Sequence, residues 1–368
     1  MSTPAPNPDG WLSWHVHVPA DAEGTDRLTP LVREQLPALL APLREAGLLH
    51  RWFFIRYWEG GPHLRIRLLP QPGAGRAATP DALDAAVRRA FADVPREGHD
   101  PEGYLASIGD LAAASVVSDP TVDRRLAATV LPPGVHAADY VPETDRYGTG
   151  AALEATEEVF TLSSELALRA ARSELDDLRL RLLGTEVLLK AAALADDGVR
   201  QEGGPAADDG EADPAMAQLR AHADYWSGWS RSAPQEVFPT ALLAQHAADW
   251  AQLLLSRGRV NAPALTARAS AVSPWAEALA ALLPLAPTAP ARSGLLISHT
   301  HMTLNRMGIF VHDEYILAEA AARLLRAPTG TPTADTATVG TATAGTATAG
   351  TATAGTATAG TGGEGVRA

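Results

Sequence analysis

"FFIRYWEGGPHLRIRLLP", residues 53–70, sets two apolar, aromatic-rich runs on either side of a Glu-Gly-Gly-Pro turn. Short runs of aromatic and β-branched residues broken by Gly and Pro read as the two strands of a β-hairpin. The same stretch carries Arg56, His63, Arg65 and Arg67, although the 368-residue chain has a formal net charge of -13. Taking Glu59 to Pro62 as the loop sets Trp58 opposite His63, Arg56 opposite Arg65 and Phe54 opposite Arg67, all on one face. Phe53, Ile55, Tyr57, Leu64, Ile66 and Leu68 then form an apolar face to bury. Arginines directly opposite each other repel, at a cost of a few tenths to about 1 kcal/mol. Such a face meets carboxylates of the protein, receives an anionic ligand, or lets its arginines reach out to water.

The chain on either side extends the hairpin into a larger unit. "LSWHVHV" (12–18) alternates like a strand, and residues 25–49 have the apolar spacing of a helix that starts near Thr25 and stops at Gly47. After the hairpin, "TPDALDAAVRRAFADV" opens with Thr79 as N-cap and Pro80 at the first helical position. The expected order is β-α-β-β-α, an α+β start with a small antiparallel sheet. From about residue 151 onward the pattern is helical, in "LEATEEVFTLSSELALRAARS" and three further Ala/Leu-rich stretches. Their tryptophans, Trp226, Trp229, Trp250 and Trp275, sit at helical spacings and read as core. A polar stretch from Asp196 to Pro214 reads as loop or local disorder.

Both ends are expected to lack a fold. Residues 1–10 are polar and Pro-rich, and four copies of "TATAG" run from Thr341 to Gly360 with no large apolar side chain to bury. The expectation is one domain over 11–328, with an α+β part to about 150 and a helical part beyond, and a disordered tail over 329–368. There is no cysteine, hence no disulfide and no thiolate chemistry. The acidic balance argues against a nucleic-acid surface, and no apolar run reaches membrane-spanning length. With no signal-peptide pattern in the sequence, a cytoplasmic location is the expectation.

No GxGxxG, P-loop or GxSxG occurs, so no cofactor is expected. "LLISHTHMTLNRMGI" (295–309) holds His299 and His301 two residues apart, the wrong spacing for a helical metal pair, and no HExxH is present; no metal is expected. In a helix His301 and Asn305 share a face. "YVPETDRYGTG" (140–150) taken alone reads as a turn with a cap.

Taken together, "RWFFIRYWEGGPHLRIRL", "YVPETDRYG" and "SHTHMTLNRMG" resemble, in that order, motifs of the small C-terminal domain of class I lanthipeptide dehydratases and its free-standing relatives in thiopeptide biosynthesis. The resemblance covers nearly all of residues 11–328. It implies chemistry on a ribosomally made precursor peptide, leader plus core. In the full-length dehydratases a larger domain esterifies Ser or Thr with glutamate from glutamyl-tRNA, and the small domain eliminates that glutamate to leave dehydroalanine or dehydrobutyrine. A chain of this length would be a lyase working with a separate glutamylating protein, without touching nucleic acid itself. Two alternatives stay open: a pyridine synthase that joins two dehydroalanines by a [4+2] cycloaddition, and a non-catalytic subunit that binds the leader peptide. Relatives of this kind imply a possible homodimer.

By the same resemblance Arg65, Arg67, Arg146 and His301 match positions important to elimination. His301 would be the acid/base and the arginines would recognise glutamate and stabilise the oxyanion. Arg56 and His63, from the strand geometry, and Arg306, from helix spacing, are further substrate-binding candidates. The family's "RYGG" reads Arg146-Tyr147-Gly148-Thr149 here, and an insertion separates the hairpin from this motif, from about Gly73 to Pro133.

Overall fold

In the computed structural model, which describes residues 3–118, 122–201, 213–230, 238–256 and 266–326, an antiparallel sheet comes first. Its elements are β1 (Leu12–His17), a helical run α1 over 28–45, β2 (Leu49–Tyr57), β3 (His63–Pro70), α2 (Pro80–Ala90) and β4 (Gly134–Ala138). The strand order is β2-β3-β1-β4 with every neighbouring pair antiparallel, the split β-α-β-β-α-β arrangement of ferredoxin-like folds. β4, with the sequence GVHAA, has little strand signal of its own and is held by pairing with β1. The stretch read as an insertion supplies two more helices, α3 (Pro101–Ser118) and α4 (Arg124–Ala127).

Local chemistry explains the helix ends. The helix expected to start near Thr25 begins at Leu28, where Asp26 Oδ1 accepts the main-chain N–H groups of Leu28 and Thr29, both at 3.0 Å. Gly47 adopts φ of +62° and ends the run, as its position after the apolar spacing predicts. Thr79 Oγ1 accepts the N–H of Ala82, and Pro80 follows at the first helical position.

The hairpin register differs from the expected one by a residue. Tyr57, not Trp58, pairs with His63; Ile55 pairs with Arg65 and Phe53 with Arg67. Because side chains alternate, this slip moves every β2 residue to the other face. Both faces of β2 are aromatic, so periodicity could not choose between the two registers. The choice falls to the longer loop, which is clamped from outside: Gly60 N–H donates to the Leu126 carbonyl and Leu131 N–H to the Gly60 carbonyl. One sheet face thus carries Leu12, Trp14, Val16, Trp52, Phe54, Leu64, Ile66 and Leu68, all at most 2% exposed, in one cluster with Val32 and Leu36 of α1 and Leu83 and Val87 of α2. Full burial of each such side chain contributes about 1.5–3 kcal/mol.

The helical half comprises α5 (Thr144–Tyr147), α6 (Ala151–Arg172), α7 (Asp177–Gln201), α8 (Pro214–Ser230), α9 (Thr240–Ser256), α10 (Ser273–Leu282), α11 (Ala289–Met307) and α12 (Val311–Arg326). Among the described residues it contains no strand, as expected. Two of its helices cover the free edge of β2. Ser164 of α6 accepts the N–H of Phe54, Asn305 of α11 accepts the N–H of Arg56, and Arg306 donates to the Phe54 carbonyl. An exposed sheet edge is a site of unwanted pairing, and these side chains close it.

Three details concern the expected irregular segments. The polar stretch from Asp196 begins as helix, since α7 runs on to Gln201; residues 202–212 lie outside the described residues. The segment before β1 follows a defined path, with Asn7 Oδ1 accepting the N–H groups of Asp9 and Trp11. The TATAG repeat lies outside the described residues. Trp226, Trp250 and Trp275 are buried, and the side chain of Trp229 is not among those described. No described helix is long and apolar enough to cross a membrane.

Candidate active site

The sheet face opposite α1 and α2 is lined by Ser13, His15 and His17 of β1, His63, Arg65 and Arg67 of β3, Tyr57 of β2 and His136 of β4. Positive charge is therefore concentrated here, though not as the expected arginine pair across the hairpin. Arg65 faces Ile55 on one side and His15 on the other. Its guanidinium carbon lies 3.3 Å from the centre of the Tyr57 ring, and its Nε donates to Nε2 of His63 at 3.3 Å. Arg67 is 9% exposed, packs over Phe53 and Tyr140, and makes no ion pair among the described residues. Burial and then the neighbouring Arg65 bring its pKa down to about 10. Its Nε and the hydroxyl of Ser13, the residue opposite it, are both buried without a partner among the described residues. Unpaired buried donors around a cation are the makings of an anion site.

The histidines of this face are held neutral. Burial first, then Arg65 and Arg67, push His15 down to about 2; burial, then His136 and Arg65, push His17 to about 3. His63 is likewise well below its ordinary value, burial leading. The ligand nitrogens of His15, His17 and His63 all lie within 4.8 Å of one another, which meets a distance condition for a metal centre. His63 stacks on His15 and His17, with ring planes at 29° and 21°. Arg65 already donates to His63, and a second cation beside it would be repelled.

A separate cleft of about 500 Å³ opens between α5, α10 and α11. Asp145, Arg146, Ser298 and His301 line its polar end, and Leu282, Leu285, Leu295 and Ile297 its apolar wall. Arg146 pairs with Glu143 at 3.2 Å and remains about a third exposed. Tyr147, next to it, is anchored by its hydroxyl to Ser298 at 2.7 Å. His301 is 23% exposed, and its Nδ1 lies 2.8 Å from Oε2 of Glu314. Glu314 is fully buried. Burial pushes its pKa up, but His301 and His222 outweigh that and hold it down at about 2, so it is a carboxylate at any ordinary pH.

Two of the four leading candidates, Arg146 and His301, therefore share the cleft, while Arg65 and Arg67 stand on the sheet face. Glu143 links the groups electrostatically: it pairs with Arg146 and acts on the charges of Arg65 and Arg67. His63 belongs to the sheet face, its Nδ1 2.8 Å from the Gly61 carbonyl. Arg56 and Arg306 do not join either group. Arg56 turns to the helix-covered side, where it meets Asp26 at 3.3 Å, Thr29 at 2.9 Å and the Arg306 carbonyl at 3.2 Å. Arg306 is 1% exposed and bonds main-chain carbonyls of Phe54 and Met302. His299 is buried neutral between Tyr147 and Phe160, burial and Arg306 lowering it to about 3. Sequence reading missed Glu314 and His222: Glu314 stands beside Asp313 in the first turn of α12, where acids are common, and nothing in the sequence sets it apart.

The family described as lantibiotic biosynthesis dehydratase C-term matches residues 11–325. Among solved structures, the chain is similar to the tRNA-dependent lantibiotic dehydratase MibB from Microbispora sp. 107891, at 22% identity and a TM-score of 0.50, over 88% of this chain and 28% of that one. It thus spans little more than a quarter of that enzyme's length. The pyridine synthase TbtD from thiomuracin biosynthesis matches at 20% identity and a TM-score of 0.58, over 85% of this chain and 97% of TbtD. TsrL matches at 18% identity and a TM-score of 0.55, over 86% and 94%. None of the curated proteins matches the sequence.

Proposed function

From the membership of this chain in the lantibiotic biosynthesis dehydratase C-terminal family, we propose that it eliminates glutamate from glutamylated Ser or Thr of a ribosomally made precursor peptide. The observation that carries the reading is His301, one ring nitrogen tied to a buried carboxylate and the ring partly exposed in a cleft it shares with Arg146. In the reaction His301 takes the Cα proton of the modified residue. The freed electron pair forms the Cα=Cβ double bond, the Cβ–O ester bond breaks, and glutamate departs as a carboxylate. Arg146 receives that anion in place of Glu143, and the field of Arg65 and Arg67 stabilises the enolate and the leaving group. A separate glutamylating protein supplies the ester.

The test is mass spectrometry of a core peptide carrying synthetic glutamyl-Ser, incubated with wild type and with His301→Ala. Loss of glutamate to give dehydroalanine with wild type, and a fall of about 100-fold or more with the variant, is the expected result. Intact ester with wild type overturns the reading. The likeness over 97% of the pyridine synthase TbtD favours a second reading, cycloaddition of two dehydroalanines with loss of the leader. Release of the leader from a peptide already holding two dehydroalanines would identify it.

A further inference from the structure

Glu314 of α12 is 0% exposed, and each of its oxygens is held by a different histidine. Oε2 lies 2.8 Å from Nδ1 of His301 on α11, and Oε1 lies 2.6 Å from Nε2 of His222 on α8. An ionised carboxylate is an acceptor only, so the proton of the His301 ring must sit on Nδ1. Nε2 is left as the basic nitrogen of a ring that lines the cleft. His222, itself 2% exposed, prevents the carboxylate from rotating. Trp226, one helical turn beyond His222 on the same helix, packs edge-on against His301 with ring centres 4.9 Å apart. Two helices distant in sequence, α8 and α12, therefore fix the plane and the tautomer of one partly exposed imidazole on α11.

We infer that Glu314, held by His222, is the positioning residue of His301. The pair makes the ring a base at Nε2 and stabilises the imidazolium formed when it takes a proton. Neither Glu314 nor His222 touches substrate. This deepens the proposed elimination and rests on His301 as its acid/base. An imidazole positioned by a carboxylate follows the same physical logic as the histidine of hydrolase triads, where a wrong tautomer is costly even with the geometry intact.

The experiment has two independent readouts on the full chain. The first is 15N NMR of the histidine rings in the wild type, which needs no variant. The Nδ1–H tautomer of the His301 ring is expected, and a ring protonated on Nε2 alone overturns the inference whatever the enzyme's activity. The second compares wild type, Glu314→Gln and Glu314→Asp in the glutamyl-Ser assay, with circular dichroism and a melting curve as controls. Glu314→Gln is expected to release the tautomer and to lower kcat about 100-fold with KM within about threefold. Glu314→Asp restores the charge but not the reach, and should recover part of the rate. A folded Glu314→Gln that keeps both the tautomer and kcat also overturns the inference. If the wild type gives no elimination, the proposed function fails, while the NMR result still decides the positioning.

Discussion

Arg306 donates from Nε to the carbonyl oxygen of Phe54, 252 residues earlier in the chain, so the last family motif closes the edge of the hairpin. The same guanidinium reaches the Met302 carbonyl at 2.9 Å and lies over the Phe160 ring. Arg306→Met should therefore cost about 1–3 kcal/mol of stability, because it leaves a buried carbonyl unsatisfied. Urea unfolding measures this. Unchanged stability together with lost turnover would make Arg306 a substrate residue instead of a strut.

Arg67 should behave in the opposite way. It is a buried cation with no ion pair among the described residues, so its desolvation is offset only in part, by the Phe53 and Tyr140 rings and the field of Glu143. Arg67→Met is expected to raise stability by about 0.5–2 kcal/mol while lowering glutamate release about 100-fold. The two numbers come from one preparation, by melting and by mass spectrometry. A variant both less stable and fully active would remove Arg67 from the site.

Stability should fall on mild acidification. His15, His17 and His299 take up protons near pH 6.5 when unfolded, but burial, aided by nearby positive charge, holds them at about 2, about 3 and about 3 in the fold. Below pH 6.5 the unfolded chain therefore binds more protons, so their contribution is complete above that pH and declines as pH drops toward the folded values. Glu314, lowered from 4.5 to about 2, acts in the same direction, its contribution present above 4.5 and lost as pH falls through 2. The urea midpoint should drop from pH 6.5 downward. His299→Leu should make the decline shallower by up to about 1.4 kcal/mol per pH unit, the value of one proton. A flat profile between pH 6.5 and 4.5 would contradict the buried neutral histidines.

The sequence by itself did not determine β4 or the helices of the insertion, but it did determine the order of the first five elements and the helical character of the second half, the cap at Thr79 and the stop at Gly47, and the three motifs that carry the family. These are local features: apolar spacing, φ preference and short side-chain reach act within a few residues. Through the resemblance of those motifs it also singled out Arg65, Arg67, Arg146 and His301 as site candidates. Only the tertiary structure decided which face each one serves. Two aromatic faces on β2 left the hairpin register open, and the clamp on Gly60 from residues 126 and 131 resolved it, sending Arg56 to a structural pair with Asp26 and leaving Arg65 with His15. Likewise, no spacing rule links His222, His301 and Glu314, which lie on three helices. A carboxylate is buried there because packing brings two imidazoles to its oxygens, and that compensation exists only once the helices have met.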